Sequence, residues 1–236
     1  MTDDEATMSL TEHLEELRRR LMVVVAAVLA GAVVGFFLSR PVLILLRDRL
    51  PEGQRALTFL GPADPLAASF KIAGFLGIAL AMPIILFEIW RFVTPGLTRR
   101  ERRFIWPVMI VAMLLFALGV TIGFVVIPYA LSFLLGFADG LAEPSLTIDR
   151  YVGFVTTMML AFGLVLEFPI VLIGLARVGI LTHRRLASQR RWAILAIVLF
   201  AIVLTPGGDP ISPLILSSVM LVLFEGSLLV IRLFRR

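Results

Sequence analysis

The chain has 236 residues, 59% of them hydrophobic, a mean hydropathy of +0.99 and a formal net charge of +5. A soluble domain of this length would be nearer half apolar with its apolar residues scattered; here they gather into long runs, which marks an all-α polytopic membrane protein. In a soluble protein the positive charge would suggest nucleic acid, but in a membrane protein its placement about the bilayer matters more, and no nucleic-acid partner is expected. Cysteine is absent, which removes disulfide and thiolate chemistry. His13 and His183 are isolated in Arg/Glu-rich segments and read as polar surface, so neither a metal nor a cofactor is expected.

In chain order, six apolar segments are predicted to span the bilayer: residues 21–38, 72–89, 104–127, 151–178, 192–204 and 214–231. The first follows an acidic leader and is longer than a signal-peptide core, so it reads as a span rather than a cleaved signal. An even number of spans places both termini on one side. Of the 22 basic residues, sixteen fall in the N-terminus, the 91–103 loop, the 177–191 region and the C-terminus. Arg40, Arg47, Arg49, Arg55, Lys71 and Arg150 fall on the other side, so the positive-inside rule makes both termini cytoplasmic. The outer connections at 39–68 and 128–150 are rich in proline and are expected to form caps of short helices. The fifth segment has only 13 uninterrupted apolar residues, roughly 20 Å of helix against a hydrocarbon core of ~30 Å. Pro83-Ile-Ile-Leu and Pro169-Ile-Val-Leu, in the second and fourth segments, echo one another.

Ionisable residues inside or beside apolar spans are costly and each needs a reason. Glu167, in GLVLEFPIVLIG, lies deep in the fourth segment two residues before Pro169, which can kink the helix. It is either a functional carboxyl, protonated or in a water-filled dip, or a hydrogen-bonding link between helices. Glu88 precedes Trp90 and Arg91 and reads as a partner for a nearby arginine, with a proton relay as the alternative. Glu225 has Arg232 two turns away, and Asp209 in TPGGDPISP reads as a turn former.

Two acidic positions stand on the predicted cytoplasmic side. In TEHLEELRRRL, Glu12, Glu15 and Glu16 are crowded against Arg18, Arg19 and Arg20; in RFVTPGLTRRERRF, Glu101 stands among four arginines. Pairing at i,i+3 and i,i+4 would neutralise each locally, for example Glu15 with Arg18 or Arg19, and Glu16 with Arg19 or Arg20. Together, two separated carboxylates could hold two neighbouring arginines of a ligand, because a guanidinium binds a carboxylate with a two-pronged fork.

These residues carry a resemblance. His13-Leu14 with Glu16-Leu17-Arg18, Pro83 with Trp90, Phe92, Pro95 and Leu97, and Glu101-Arg102-Arg103 occur in order. They are followed by Phe162-Gly163, Glu167, Pro169, Gly179-Ile180, Thr182, Arg190-Arg191 and Thr205-Pro206 with Asp209 and Ser212. From about residue 9 to 232 the chain resembles the TatC family, the core receptor of the twin-arginine protein translocase. The resemblance implies a glove-like fold of six transmembrane helices, the last two short, in the cytoplasmic membrane, and a Sec-independent translocase subunit that is not an enzyme. It implies that twin-arginine signal peptides of folded cargo meet Glu16 and Glu101, with Phe92 beside them and Glu15 and Arg18 adjacent. It further implies that Glu167, and with it Glu88, belongs to an intramembrane face where TatA- and TatB-type single-span subunits dock. Asp209 would lie in the outer turn, and several TatC copies would assemble. Glu15 beside Glu16, Gly207-Gly208 before Asp209 and Pro213 after Ser212 depart from the usual pattern.

The rival reading is a proton-coupled small-molecule transporter, which would also use Glu167, Glu88 and kinked spans. Such transporters gather acids and bases near the midplane, whereas these acids lie at different depths. A glycine-rich nucleotide loop is missing from the sequence, so energy is expected from another subunit or from the proton gradient, as the resemblance implies.

Overall fold

The computed structural model describes residues 10–50, 57–93, 105–137, 145–177 and 181–233. Their regular structure is helical: α1 (Leu10–Phe37), α2 (Ser39–Arg47), α3 (Asp64–Val93), α4 (Ile105–Gly136), α5 (Ile148–Val165), α6 (Phe168–Arg177), α7 (His183–Ser188), α8 (Arg190–Leu204) and α9 (Ile211–Leu233). Five stretches among them, α1, α3, α4, the α5–α6 pair and α9, are long and apolar enough to cross a membrane. With 15 residues, α8 is about 22 Å long at ~1.5 Å per residue, short of the hydrocarbon core as its sequence predicts, whereas α9, also expected to be short, has 23 residues and is long enough to cross.

Element boundaries differ from the predicted spans for local reasons. The charged leader extends α1 back to Leu10, because Glu16 and Arg20 pair across one helical turn. Helix α4 continues through Pro128 to Gly136, so the second outer connection starts as helix rather than as a separate cap. The predicted segment 151–178 is broken, with α5 ending at Val165 and α6 starting at Phe168. Here Pro169 has no N–H to offer, and the chain turns tightly: the Glu167 N–H donates to the Leu164 carbonyl (3.1 Å) and the Ile170 N–H to the Glu167 carbonyl (3.0 Å). Pro83, by contrast, sits within an unbroken α3, so the two Pro-containing echoes are not a structural repeat.

Lipid tails are as apolar as any leucine, so helices in a bilayer associate through close packing at small residues and through polar links. Helix α1 packs chiefly on α3, at Gly31, Gly35 and Gly77. A Cβ on Gly77 would stand 2.8 Å from the Val28 carbonyl oxygen and 2.9 Å from the Ala32 nitrogen. A second seam joins α4 to α5, where a Cβ on Gly163 would stand 2.8 Å from the Phe116 ring. Helix α5 is central: Tyr151, Val152, Val155, Met158 and Phe162 are fully buried in one cluster that also holds Ile72, Ile127, Leu216 and Phe224 from three other helices.

At the predicted outer end, polar links close the bundle. Helix α2 caps it, as expected of the first outer connection, and the buried Tyr151 hydroxyl donates to the Leu46 carbonyl at 2.7 Å. Thr58 and Thr147 form an isolated parallel bridge, with the Ile148 N–H donating to the Thr58 carbonyl at 2.8 Å. Lys71 pairs with Asp149 at 2.7 Å.

Gly77→Leu is expected to lower the thermal unfolding midpoint of the detergent-solubilised protein, since overpacking costs about 1–3 kcal/mol. Gly74→Leu, where no atom lies within 4 Å of an added Cβ, should change it little. Equal losses in the two variants would show that the α1–α3 seam is not what makes position 77 sensitive.

Candidate functional site

One polar cluster joins the start of α1 to the end of α3. His13, Glu16 and Arg20, spaced three and four residues apart, share the half-buried face of α1, while Glu15, Arg18 and Arg19 are exposed. The Arg20 guanidinium lies between two carboxylates: its Nη2 donates to Glu16 Oε1, and its Nη1 donates to Glu88 Oε2 at 3.1 Å. The three side chains are only 12%, 20% and 9% exposed (Arg20, Glu16 and Glu88 in turn), so the pairing is shielded from most solvent screening. The His13 ring stacks on Phe92 with centroids 4.4 Å apart, and His13 Nδ1 is 4.0 Å from Glu16 Oε2.

Glu16 stands ahead of the apolar run, and the hydrogen bond from Arg20 holds its carboxyl below the usual carboxylate range. Two carboxylates share one guanidinium, which leaves the trio itself with one excess negative charge, while His13 and Arg91 also act on Glu16 from beside it. Glu16 Oε2 and Arg20 Nε are buried without a hydrogen-bond partner among the described residues. Chemically the cluster can accept a second guanidinium.

The structure therefore brings together Glu16, Phe92 and Glu88 of the sequence-predicted residues and leaves Glu15 and Arg18 facing outward. Glu88 does pair with an arginine, but across helices with Arg20 rather than with Arg91 close to it in sequence. That brings it into the Glu16 cluster and away from the Glu167 face with which it was grouped. Sequence reasoning kept Arg20 as one of two local partners for Glu16; the i,i+4 spacing supports it, and its link to Glu88 needs the fold. Glu101 lies outside the described residues.

Glu167 occupies the break between α5 and α6. It is 8% exposed, and both of its carboxylate oxygens are buried without a hydrogen-bond partner among the described residues. It lines a half-open cavity of about 520 Å³ with Leu164, Val171, Ala196, Phe200 and Leu204, and among the described residues is the one ionisable group in that lining. A carboxyl so placed suits a hydrogen-bond donor arriving on an otherwise apolar surface.

The remaining acids are structural. Asp209 is 2% exposed and its Oδ1 accepts the Ser212 N–H at 2.7 Å, which caps α9, with Pro210 following directly after the capping residue. Gly207 and Gly208 have φ of +105° and +71°, a conformation that side chains resist, so the turn needs both glycines. Glu225 pairs not with Arg232 but with Arg190, at 2.8 Å, which ties the start of α8 to α9.

The model of the family described as Sec-independent protein translocase protein (TatC) matches residues 12–218. The chain is 36% identical to the Sec-independent protein translocase protein TatC of Carboxydothermus hydrogenoformans, over 96% of this chain and 94% of that one. It is 37% identical to that of Aquifex aeolicus, over 94% and 93%. A crystal structure of the twin arginine translocase receptor TatC in DDM superposes with a TM-score of 0.82 at 35% identity, covering 93% of this chain and 99% of that one. The chain belongs to the TatC family.

It is a multi-pass inner-membrane protein with the glove-like TatC architecture, and the TatC subunit of a Sec-independent protein translocase. The family match runs from α1 into α9, so the Glu16–Arg20–Glu88 cluster and the Glu167 cavity, apart from Met220 in its lining, lie within the TatC region.

Proposed function

We propose that this TatC chain is the receptor for signal peptides carrying paired arginines, and that the end of the molecule where α1 begins and α3 closes is where they bind. The observation that carries the reading is the shielded cluster of two carboxylates around one guanidinium, with its excess negative charge and unused acceptor oxygen, beside the Phe92–His13 stack. Glu101, in the arginine-rich connection that follows α3, supplies the second carboxylate. The solved relatives bear the name twin arginine translocase receptor, which supports the same ligand here.

This end is cytoplasmic, as are both termini, in keeping with the basic residues gathered there. Folded cargo is delivered from that side, and the proton gradient drives transport. The Glu167 cavity receives the membrane helix of a TatA- or TatB-type subunit: its apolar lining suits a helix surface, and its buried carboxyl offers a hydrogen-bond acceptor to a polar side chain on that helix. Further TatC copies join the complex.

Because the native chain lacks cysteine, single cysteines report orientation cleanly. Ser188→Cys is expected to react with an impermeant maleimide only from the cytoplasm and Gly61→Cys only from outside; the reverse pattern would overturn the topology. Glu167→Gln is expected to insert normally and to bind signal peptide, whereas Glu167→Leu should lose transport and TatA/TatB co-purification but keep peptide binding. Wild-type transport by the Leu variant would leave Glu167 as packing.

The receptor reading is tested by photo-crosslinking to a twin-arginine peptide. Alanine at both Glu16 and Glu101 should reduce crosslinking at least about tenfold, since both carboxylates that would accept charge-assisted bonds from the arginine pair are removed. A twin-lysine peptide should bind more weakly and lose less, for want of the fork. Unchanged crosslinking in the double variant would sink this reading.

A further inference from the structure

Arg20 holds the position that a ligand's guanidinium would need. Its Nη2 is on Glu16, the carboxylate assigned above to the ligand, and its Nη1 is on Glu88, on a different helix, at 3.1 Å. Its Nε, buried without a hydrogen-bond partner among the described residues, is a spare donor. We infer that Arg20 is an internal stand-in for the ligand and that Glu88 is the positioning residue that receives it: an incoming arginine takes over Glu16, and Arg20 closes onto Glu88. The inference rests on the receptor reading of Glu16.

The exchange is favourable bond by bond. Glu16 gives up one N–H and gains the fork of the incoming guanidinium, whose second prong takes Oε2, an oxygen that is buried and without a hydrogen-bond partner among the described residues while Arg20 is in place and is uncovered when Arg20 withdraws. Arg20 keeps Nη1 on Glu88 and brings a second N–H to the same carboxylate, since guanidinium donors sit at fixed angles in pairs. The number of charge-assisted bonds doubles, and the trio's excess negative charge is neutralised by the ligand's positive one. Without a carboxylate at 88, Arg20 would have Glu16 as its one anion in the trio, and an incoming arginine would face a neutral pair. Glu88 thus sets affinity without touching the ligand.

Three variants separate this hand-over from its alternatives when a fluorescent twin-arginine signal peptide is titrated into the purified full chain in nanodiscs. Glu88→Gln should bind about tenfold more weakly, the loss of roughly one charge-assisted bond's worth of ligand affinity. Arg20→Gln should bind at least as tightly as the unaltered protein, with a steeper salt dependence, because Glu16 is freed and two anions remain. The Arg20→Gln/Glu88→Gln double variant should recover the affinity lost in Glu88→Gln, since the competitor is gone. A double variant as weak as Glu88→Gln would make Glu88 a direct ligand contact and overturn the inference. Weakened binding in Arg20→Gln would do the same, by making the trio a staple between α1 and α3, and so would unchanged binding in Glu88→Gln. Glu16→Gln in the same titration keeps the two readings apart. If it binds normally, the receptor reading itself fails; if it loses binding while Glu88→Gln does not, only the hand-over fails.

Discussion

Inside a bilayer an apolar side chain gains no hydrophobic free energy by leaving lipid for another helix, and the rest of this fold follows from that constraint. Hydrophobicity selects which segments enter the membrane but does not say which of them touch. Contact is decided by backbone approach at glycine, as at the α1–α3 and α4–α5 seams, and by links at the ends, such as Tyr151 to Leu46, Lys71 to Asp149 and Arg190 to Glu225. Helix α5 has contacts on several sides and forms the centre, whereas α1 presents most of its apolar surface outward and depends on one neighbour.

The same constraint makes charge placement informative. An ion held away from water must find a partner or do something useful. Most of the described acids beside apolar segments found partners within the chain: Glu225 has Arg190, Asp209 has the Ser212 N–H, and Asp149 has Lys71. Asp209 Oδ2 stays buried without a hydrogen-bond partner among the described residues, and two places fall further short. The trio at the start of α1 has one more carboxylate than guanidinium, and Glu167 has no hydrogen-bond partner among the described residues. The incompleteness is local and chemically opposite in kind. The first is a surplus of negative charge and suits a cation; the second is a lone acceptor in an apolar hollow and suits a neutral donor on a helix.

Much of this was legible in the sequence because it depends on composition over short windows. Apolar runs gave the helices, thirteen apolar residues gave the shortness of α8, and Pro169 gave the break beside Glu167. What escaped was long-range or required geometry. Glu88 finds its arginine 68 residues away, and Glu225 finds Arg190 rather than Arg232, because partners across helices are set by which faces the seams bring together. The seams themselves had a signal that was passed over, the G-x-x-x-G spacing of Gly31 with Gly35 and Gly119 with Gly123. Helix α4 outran its predicted span because a proline inside a helix removes one backbone bond without obliging the chain to stop.

The seam and the site are coupled through one pair of helices. Gly77 lies three turns before Glu88 on α3, and Gly31 lies three turns after Arg20 on α1. Backbone-to-backbone approach at the glycines leaves little freedom in the spacing of the two helices, and so in the distance a guanidinium must bridge between Glu16 and Glu88. Arginine suits that task because its donors point in fixed directions; lysine, a mobile point charge, would tolerate a looser pair of helices and report less on their spacing. A rigid apolar seam with a directional polar cluster at its end can discriminate guanidinium from ammonium at equal charge. On the receptor reading proposed above, the glycines in the membrane would bear on ligand choice at its surface, although they lie about three turns of helix away from the cluster.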